Sequence, residues 1–365
     1  MKNMTESQQL LIEQMVSQAK KAMKRGDTAI ALQFFNAVLQ HQPNHPVAQK
    51  CLRKLQQVAT HNSPVQVEIV DPSTDQINAL VNLYYTGQMV QTEQACRGLL
   101  QAYPQSLVVI NLLGASLQGQ GKLQEAVESF DKVIELKPDY AAAYSNRGAV
   151  LKELGQLEKA VENYNQAIQL QPDLAETYSN RGIALQELEQ LVEAVESFNK
   201  AIQLKPDYTE AYSNRGATLQ KLGQLDQAVE NYDKAIQIQP DYAEAYNNRG
   251  NVLKELGQLE KAVASYARAI QLKPGYIAAY NNRGNVLKEL GQLEEAVGCY
   301  DKVIQLQPDY AEAYSNRGLA LQDLEKWAEA VESYDKSIQL KPDYVEAYSN
   351  RGIALQKLEQ PIEAI

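Results

Sequence analysis

The chain has little of what covalent or metal chemistry needs. It holds three cysteines and three histidines in 365 residues. Cys51, Cys96 and Cys299 are an odd, widely scattered set, which makes no disulfide framework. A reducing compartment, the cytoplasm, is the expectation. Cys96 and Cys299 replace or neighbour core aromatics and read as buried. His41 and His45 flank Pro43 in a predicted turn, with no cysteine or carboxylate pair beside them, so no metal site is expected. No glycine-rich phosphate loop occurs. No run of about 18 apolar residues exists to cross a membrane. Met1–Leu10 is polar and unlike a signal peptide. Basic residues are outnumbered, 35 Lys and Arg against 45 Asp and Glu, for a net charge of −10. That balance argues against nucleic-acid binding, which needs a basic stripe, and against anionic membranes. The reading is a non-enzymatic protein with no cofactor.

What is present is a period. Asn247–Glu260 recurs letter for letter at Asn281–Glu294. Prolines at 104, 138, 172, 206, 240, 274, 308 and 342 keep the same 34-residue step. So do glycines from 114 to 352 and alanines from 126 to 364. A fixed period of this length is the mark of a helical repeat, which grows without a single core.

In one unit, 243–276, Tyr246, Gly250, Leu253 and Leu256 fall on one helical face. Gly250 is mid-helix, where glycine costs about 1 kcal/mol, so a neighbouring helix is expected to pass too close for a Cβ. Gly257 can take the left-handed conformation after the first helix. Leu259 opens a second helix, with Ala262, Tyr266, Ala269 and Ile270 inward, and Lys273-Pro274 ends it. Five units carry a capping-box-like pair at the next helix start: Asp173/Glu176, Asp207/Glu210, Asp241/Glu244, Asp309/Glu312 and Asp343/Glu346. The 277 unit has Gly275 and Ala278 instead, and a start weaker by roughly 0.5–1 kcal/mol is expected.

Upstream, residues 6–59 read as helical. Leu10, Leu11, Met15, Val16, Ala19 and Met23 share one face, Gly26-Asp27 interrupts, and Ala31, Phe35, Val38 and Leu39 point inward from a second helix. Pro43 ends it, and Pro46 can open a third. Residues 60–74, with two prolines, read as a linker in which Val65–Val70 alternates weakly, as a short strand would. In 75–106 the helix pair resumes in degenerate form, with Leu80 where later units have glycine.

These residues resemble the tetratricopeptide repeat (TPR). Its landmarks are met in order by Tyr246, Gly250, Leu253, Ala262, Tyr266, Ala269 and Pro274, with tyrosine for the family's common tryptophan and Arg249 for its usual leucine. The resemblance covers 75–365, and 12–45 through Ala19, Gly26, Ala31, Phe35 and Pro43. It implies an all-α, right-handed superhelical solenoid of antiparallel helix pairs, with first helices lining a concave groove. The expected organisation is a helical segment with one TPR-like pair (1–59), a linker (60–74), a degenerate repeat (75–106), seven repeats (107–344) and a truncated eighth (345–365).

The candidate groove residues are one asparagine per unit: Asn146, Asn180, Asn214, Asn248, Asn282, Asn316 and Asn350. An amide both donates and accepts, so a ladder of them can hold a peptide backbone without reading side chains. The alternative is a structural bond to the preceding turn or unit. A similar ladder lines the TPR arm of O-linked N-acetylglucosamine transferases, where it holds extended polypeptide. Asn251, Lys254, Asn285 and Lys288 are secondary groove candidates. The carboxylate clamp of chaperone-binding TPRs is not met: Asn251 and Asn282 fit, but Asn247 holds the lysine place and Glu312 and Asn316 the later basic ones.

Arg147, Arg181, Arg215, Arg249, Arg283, Arg317 and Arg351 follow each asparagine. They serve an acidic partner or, as the acidic chain favours, a nearby Asp or Glu. Tyrosines at 140, 208, 242, 276, 310 and 344, with Leu174 as the exception, read as packing between units. Mixed-sign pairs such as Lys152/Glu153 and Lys254/Glu255 suggest a polar groove without a strong field. At the end of the chain, Leu355, Leu358 and Ile362 would lie open. That favours a piece of a longer protein over self-association through this face. The expected function is a scaffold binding a partner protein or extended peptide, with no nucleic acid and no membrane. The alternative is the substrate-recruiting arm of a larger enzyme, glycosyltransferase- or sulfotransferase-like.

Overall fold

A computed structural model describes residues 6–25, 28–42, 45–61 and 70–359. The described residues form twenty helices and no strand, in two compact units, Met1–Val70 and Asp71–Ile365.

The first unit holds α1 (Glu6–Arg25), α2 (Thr28–His41) and α3 (Pro46–His61). The apolar face read from the sequence is its core: Val16, Ala19, Ala31, Phe35 and Val38 are buried, and Met15, Met23 and Leu39 pack against them. The side chains of Leu10 and Leu11, the Gly26-Asp27 break, Pro43 and residues 62–69 of the linker lie outside the described residues. His45 precedes α3, and its Nδ1 accepts the Ala48 N–H at 3.2 Å. This histidine therefore serves a helix start.

In the second unit, first and second helices alternate: α4 (Thr74–Tyr85) with α5 (Met89–Ala102), α6 (Leu107–Gly119) with α7 (Leu123–Leu136), and α8 (Ala141–Glu153) with α9 (Leu157–Leu170). There follow α10 (Ala175–Glu187) with α11 (Leu191–Leu204), α12 (Thr209–Lys221) with α13 (Leu225–Ile238), and α14 (Ala243–Glu255) with α15 (Leu259–Leu272). Then come α16 (Ile277–Glu289) with α17 (Leu293–Leu306), α18 (Ala311–Asp323) with α19 (Trp327–Leu340), and α20 (Val345–Glu359). Asp71 belongs to this unit, where its carboxylate accepts the Ser106 Oγ–H at 2.5 Å.

From α6 to α19 each pair closes on a glycine and an aromatic ring 16 residues later. A Cβ built on Gly250 would stand 2.6 Å from Cε1 of Tyr266, and one on Gly182 2.7 Å from Cε1 of Phe198. The crowding atoms are therefore a ring from the second helix of the same unit, which sharpens the expectation of a close neighbouring helix. The same 16-residue pairing is size-reversed in the first pair of the array, where Leu80 faces the chain's glycine place and Cys96 the ring place, both buried. The alanines at 126, 160, 194, 228, 262, 296 and 330 are all 0% exposed, as close helix approach requires.

First helices end in Schellman turns. In α14 the Gln258 N–H reaches the Leu253 carbonyl at 2.8 Å and the Gly257 N–H reaches that of Lys254 at 2.9 Å, with Gly257 at φ 71°. Glu189 and Glu325 stand at the same place with φ of 57° and 59°. That conformation costs a residue with a Cβ about 1–2 kcal/mol. Glu325→Gly is therefore expected to stabilise the chain by about 1 kcal/mol, read as a higher urea midpoint at unchanged slope. An unchanged or lower midpoint would count against the strain.

The helix starts correct one expectation. The N-cap is the residue after the aspartate (Leu174, Tyr208, Tyr242 and Tyr310), and none of these helices has a side-chain cap bond. Two of the glutamates bind elsewhere: Glu244 takes the Lys273 ammonium at 2.9 Å and Glu312 that of Lys341 at 3.2 Å. Lys273 thereby holds the Glu244 carboxyl below its usual range. With no such cap in the neighbouring units, the 277 unit has none to lack. A true capping box forms at α4 instead, where Ser73 Oγ accepts the Gln76 N–H and Gln76 Oε1 the Ser73 N–H.

Candidate functional site

The asparagine ladder runs along α8, α10, α12, α14, α16, α18 and α20, one residue per first helix, and all seven side chains are half-buried. Three of them donate to the preceding unit. Asn146 Nδ2 meets Asn111 Oδ1 at 3.1 Å, Asn282 meets Asn247 at 3.2 Å, and Asn316 meets Asn281 at 3.4 Å. Those acceptors lie 35 residues earlier. Where that place holds serine (Ser145, Ser179, Ser213 and Ser315), the side chain is shorter and no such bond forms. The structural alternative thus describes one side of three rungs.

The secondary candidates converge at α14 and α16. Asn251 Oδ1 accepts from Tyr266 Oη at 2.9 Å and from Asn282 Nδ2 at 3.1 Å, and Asn285 Oδ1 accepts from Tyr300 Oη at 2.8 Å. The tyrosine hydroxyls reach the first helix from the buried ring beside each glycine. Elsewhere this position is apolar, as in Ala149, Ala217 and Leu319, and the buried Tyr164 hydroxyl there has no partner. Gln220, Asn251, Lys254, Glu255, Tyr266 and Asn282 line a cavity of about 360 Å³. Lys288 lies one unit on, half-buried at the place of Lys254.

Several polar side chains along this face are linked from unit to unit. Gln118 donates to Glu153 at 2.6 Å, Lys152 lies 3.9 Å from Glu187, and Gln220 bonds Glu255. The tyrosines before each first helix pack between units: Tyr140 joins Leu107, Ile110 and Val133. Lys205 and Lys341 stand over Tyr208 and Tyr344 at 4.7 and 4.8 Å.

The arginines face the second helices. Arg147, Arg181, Arg215, Arg249 and Arg317 each reach a residue 16 earlier on the preceding second helix and one 16 later on their own. Arg215 Nη1 donates to Asn199 at 2.5 Å and Nε to Asn231 at 2.7 Å. Arg249 Nε donates to Asp233 at 2.6 Å and Nη1 to Ser265 at 2.7 Å. Arg147 and Arg351 bond Asp131 and Asp335. Arg317 Nε lies 2.6 Å from Asp301 as an ion pair without hydrogen-bond alignment. They staple consecutive second helices, so the intrachain reading holds, with Asn, Ser and Asp as partners. The spacing of 16 was visible in the sequence, but an acceptor that far away is found only once the helices are antiparallel.

Cys96 and Cys299 are buried, and burial pushes the Cys96 thiol up to about 12. Among the described residues no group of three or more His, Cys, Asp or Glu could hold a metal ion. No described helix is long and apolar enough to cross a membrane. Leu355 is half-buried and Leu358 exposed, while Ile362 lies outside the described residues.

Helix pairs of constant length, stacked by Schellman turns and interhelical staples, define a helical-repeat solenoid that presents rows of residues. The chain belongs to the TPR repeat family, whose model matches residues 119–155, 148–189, 187–223, 221–257, 250–291, 284–324 and 323–359. No curated protein matches the chain. A tetratricopeptide repeat protein from Parabacteroides merdae is similar at a TM-score of 0.51 and 20% identity, covering 68% of this chain and 98% of that one. The APC/C hetero-tetramer Cut9–Hcn1 gives 0.52 and 13%, covering 94% and 76%. Both are likenesses of fold. YrrB, a TPR protein with an unusual peptide-binding site, gives 0.47 and 26%, covering 53% and 99%.

Proposed function

We propose that the chain is a protein-interaction scaffold whose first helices hold an extended segment of a partner protein along the asparagine ladder. The observation that carries this reading is the pair Asn251 and Asn282. Asn282 spends its Nδ2 on Asn247 and Asn251, which leaves its Oδ1 to accept. Asn251 spends its Oδ1 on Tyr266 and Asn282, which leaves its Nδ2 to donate. A donor beside an acceptor, both held by intrachain bonds, complements a peptide amide. The mixed signs of Lys152/Glu153, Lys254/Glu255 and Lys288/Glu289 leave the face without a strong field, which suits recognition led by the backbone.

The test is Asn→Ala at 214, 248 and 282 together in the full chain, titrated with the segment of a partner recovered by pull-down on the wild type. Binding is expected to weaken by about tenfold or more, with helical circular dichroism unchanged. Undiminished binding would overturn the reading, and lost helicity would make the three residues structural.

A further inference from the structure

One arginine of the staple has lost its partners. For Arg283, the place 16 residues earlier holds Ala267, where the rest of the series has Asp131, Asn165, Asn199, Asp233, Asp301 and Asp335. The place 16 later holds Cys299, where the series has serine or asparagine. Arg283 Nη1 reaches only the Cys299 sulfur, at 3.4 Å, and its buried Nε has no hydrogen-bond partner. In Arg249, Nη1 likewise turns to its own second helix while Nε takes Asp233 at 2.6 Å. The unused N–H of Arg283 is thus the one that binds a carboxylate one unit earlier. An unbonded buried donor is unfavourable, and an incoming carboxylate relieves it.

The surroundings have shed negative charge at the same spot. Ala264 and Gly298 stand where the series has Glu162, Glu196, Glu230 and Glu332. Arg268 keeps the cation that Lys200, Lys234 and Lys302 supply elsewhere. The places of Ala264, Ala267 and Gly298 thus carry no acid, and the nearby Glu295 is not bonded to Arg283, in a chain of net charge −10. Ala264, Arg268 and Gly298 are exposed, and a Cβ on Gly298 would meet nothing within 4 Å. The rim of the spot is open while Nε itself is covered, so a free carboxylate ion has little else to hold it there. One carried on a protein surface is held by its neighbours.

We propose that the second-helix face of α15 and α17 is a docking site for a partner protein, which inserts an aspartate or glutamate beside Arg283 in the place left by Ala267. This face is separate from the asparagine ladder.

The experiment uses the full chain and an array of peptides, each carrying a central aspartate, beside the same peptides with asparagine. Some aspartate peptides are expected to bind the wild type and to lose about tenfold or more in affinity on Ala267→Asp, which supplies the carboxylate within the chain. Arg283→Gln and the asparagine counterparts should show the same loss. The Asn→Ala triple variant of the ladder should leave this binding unchanged, so the two readings fail separately. Acetate, followed by the Arg283 Nε–H resonance, is the small-anion arm. A response to acetate with no Ala267-dependent peptide would leave a small-ion site only and overturn the docking proposal. Peptides held equally by wild type and Ala267→Asp would overturn it as well.

Discussion

Tyr266→Ala is expected to lower stability by about 3–5 kcal/mol, the range for truncating a large buried side chain. Tyr266 is 0% exposed, and its hydroxyl is the fixed partner of Asn251. Gly250→Ala is expected to act from the other side of the same contact. Its Cβ would stand 2.6, 2.8 and 2.9 Å from three ring atoms, and that ring is buried and cannot swing clear. Overpacking costs about 1–3 kcal/mol, against about 1 kcal/mol gained in helix propensity. The two effects should not add. In the Tyr266→Ala background the added methyl enters vacated space, so Gly250→Ala should turn neutral or stabilising. Urea denaturation measures each corner of the cycle, and hydrogen exchange over α14 and α15 locates the loss, since a solenoid unfolds through neighbouring units. Additive effects, with a coupling below about 0.5 kcal/mol, would show that the ring and the glycine do not share a contact.

The second large effect lies where the degenerate pair meets the first full unit. Glu93 on α5 is nearly buried, and its carboxylate accepts from Lys122 at 2.7 Å, Gln120 at 2.9 Å and Arg97 at 2.9 Å. The Lys122 bond is the largest cause that holds its pKa at about 2, below the ordinary 4.5, while burial opposes it. Because the folded value is depressed, the stabilisation is fully present above pH 4.5. It fades as pH falls towards 2, when the folded state must also take up the proton. The linkage amounts to about 3 kcal/mol at most, less some screening at the half-exposed Lys122 and Arg97. Glu93→Gln should therefore destabilise the α5–α7 region by about 2 kcal/mol near neutral pH and flatten the pH dependence between 4.5 and 2. A variant that keeps the wild-type acid slope would place that slope on other carboxylates.

Periodic spacing made most of the architecture readable. Glycine, alanine and proline recur because identical neighbours must nest at identical distances, and the structure buries the alanines completely. The degenerate pair is legible as well, but that Leu80 is compensated by Cys96 follows only from their packing: the bulk sits on the first helix instead of the second, and the packed volume is kept. The capping boxes were misread because the Asp-to-Glu spacing fits that motif. The helix begins one residue later than the motif requires, and Lys273 or Lys341 at the end of the following helix takes the glutamate. A local motif cannot show that competing partner.

The candidate site divides in the same way. The row of asparagines and its place on the first helices follow from the 34-residue step, because every copy of a position on a repeating helix faces the same direction. Which atoms of each amide remain for a ligand does not follow from that step. Asn282 keeps an acceptor and Asn251 a donor because an asparagine from the preceding unit and a tyrosine hydroxyl from the second helix claim their other ends. The arginines make the same point: their recurrence is plain in the chain, yet only packing brings residues 16 apart on either side into one staple. Period is a property of the chain order, while hydrogen-bond partners are chosen in space, between helices that meet only after the units have stacked.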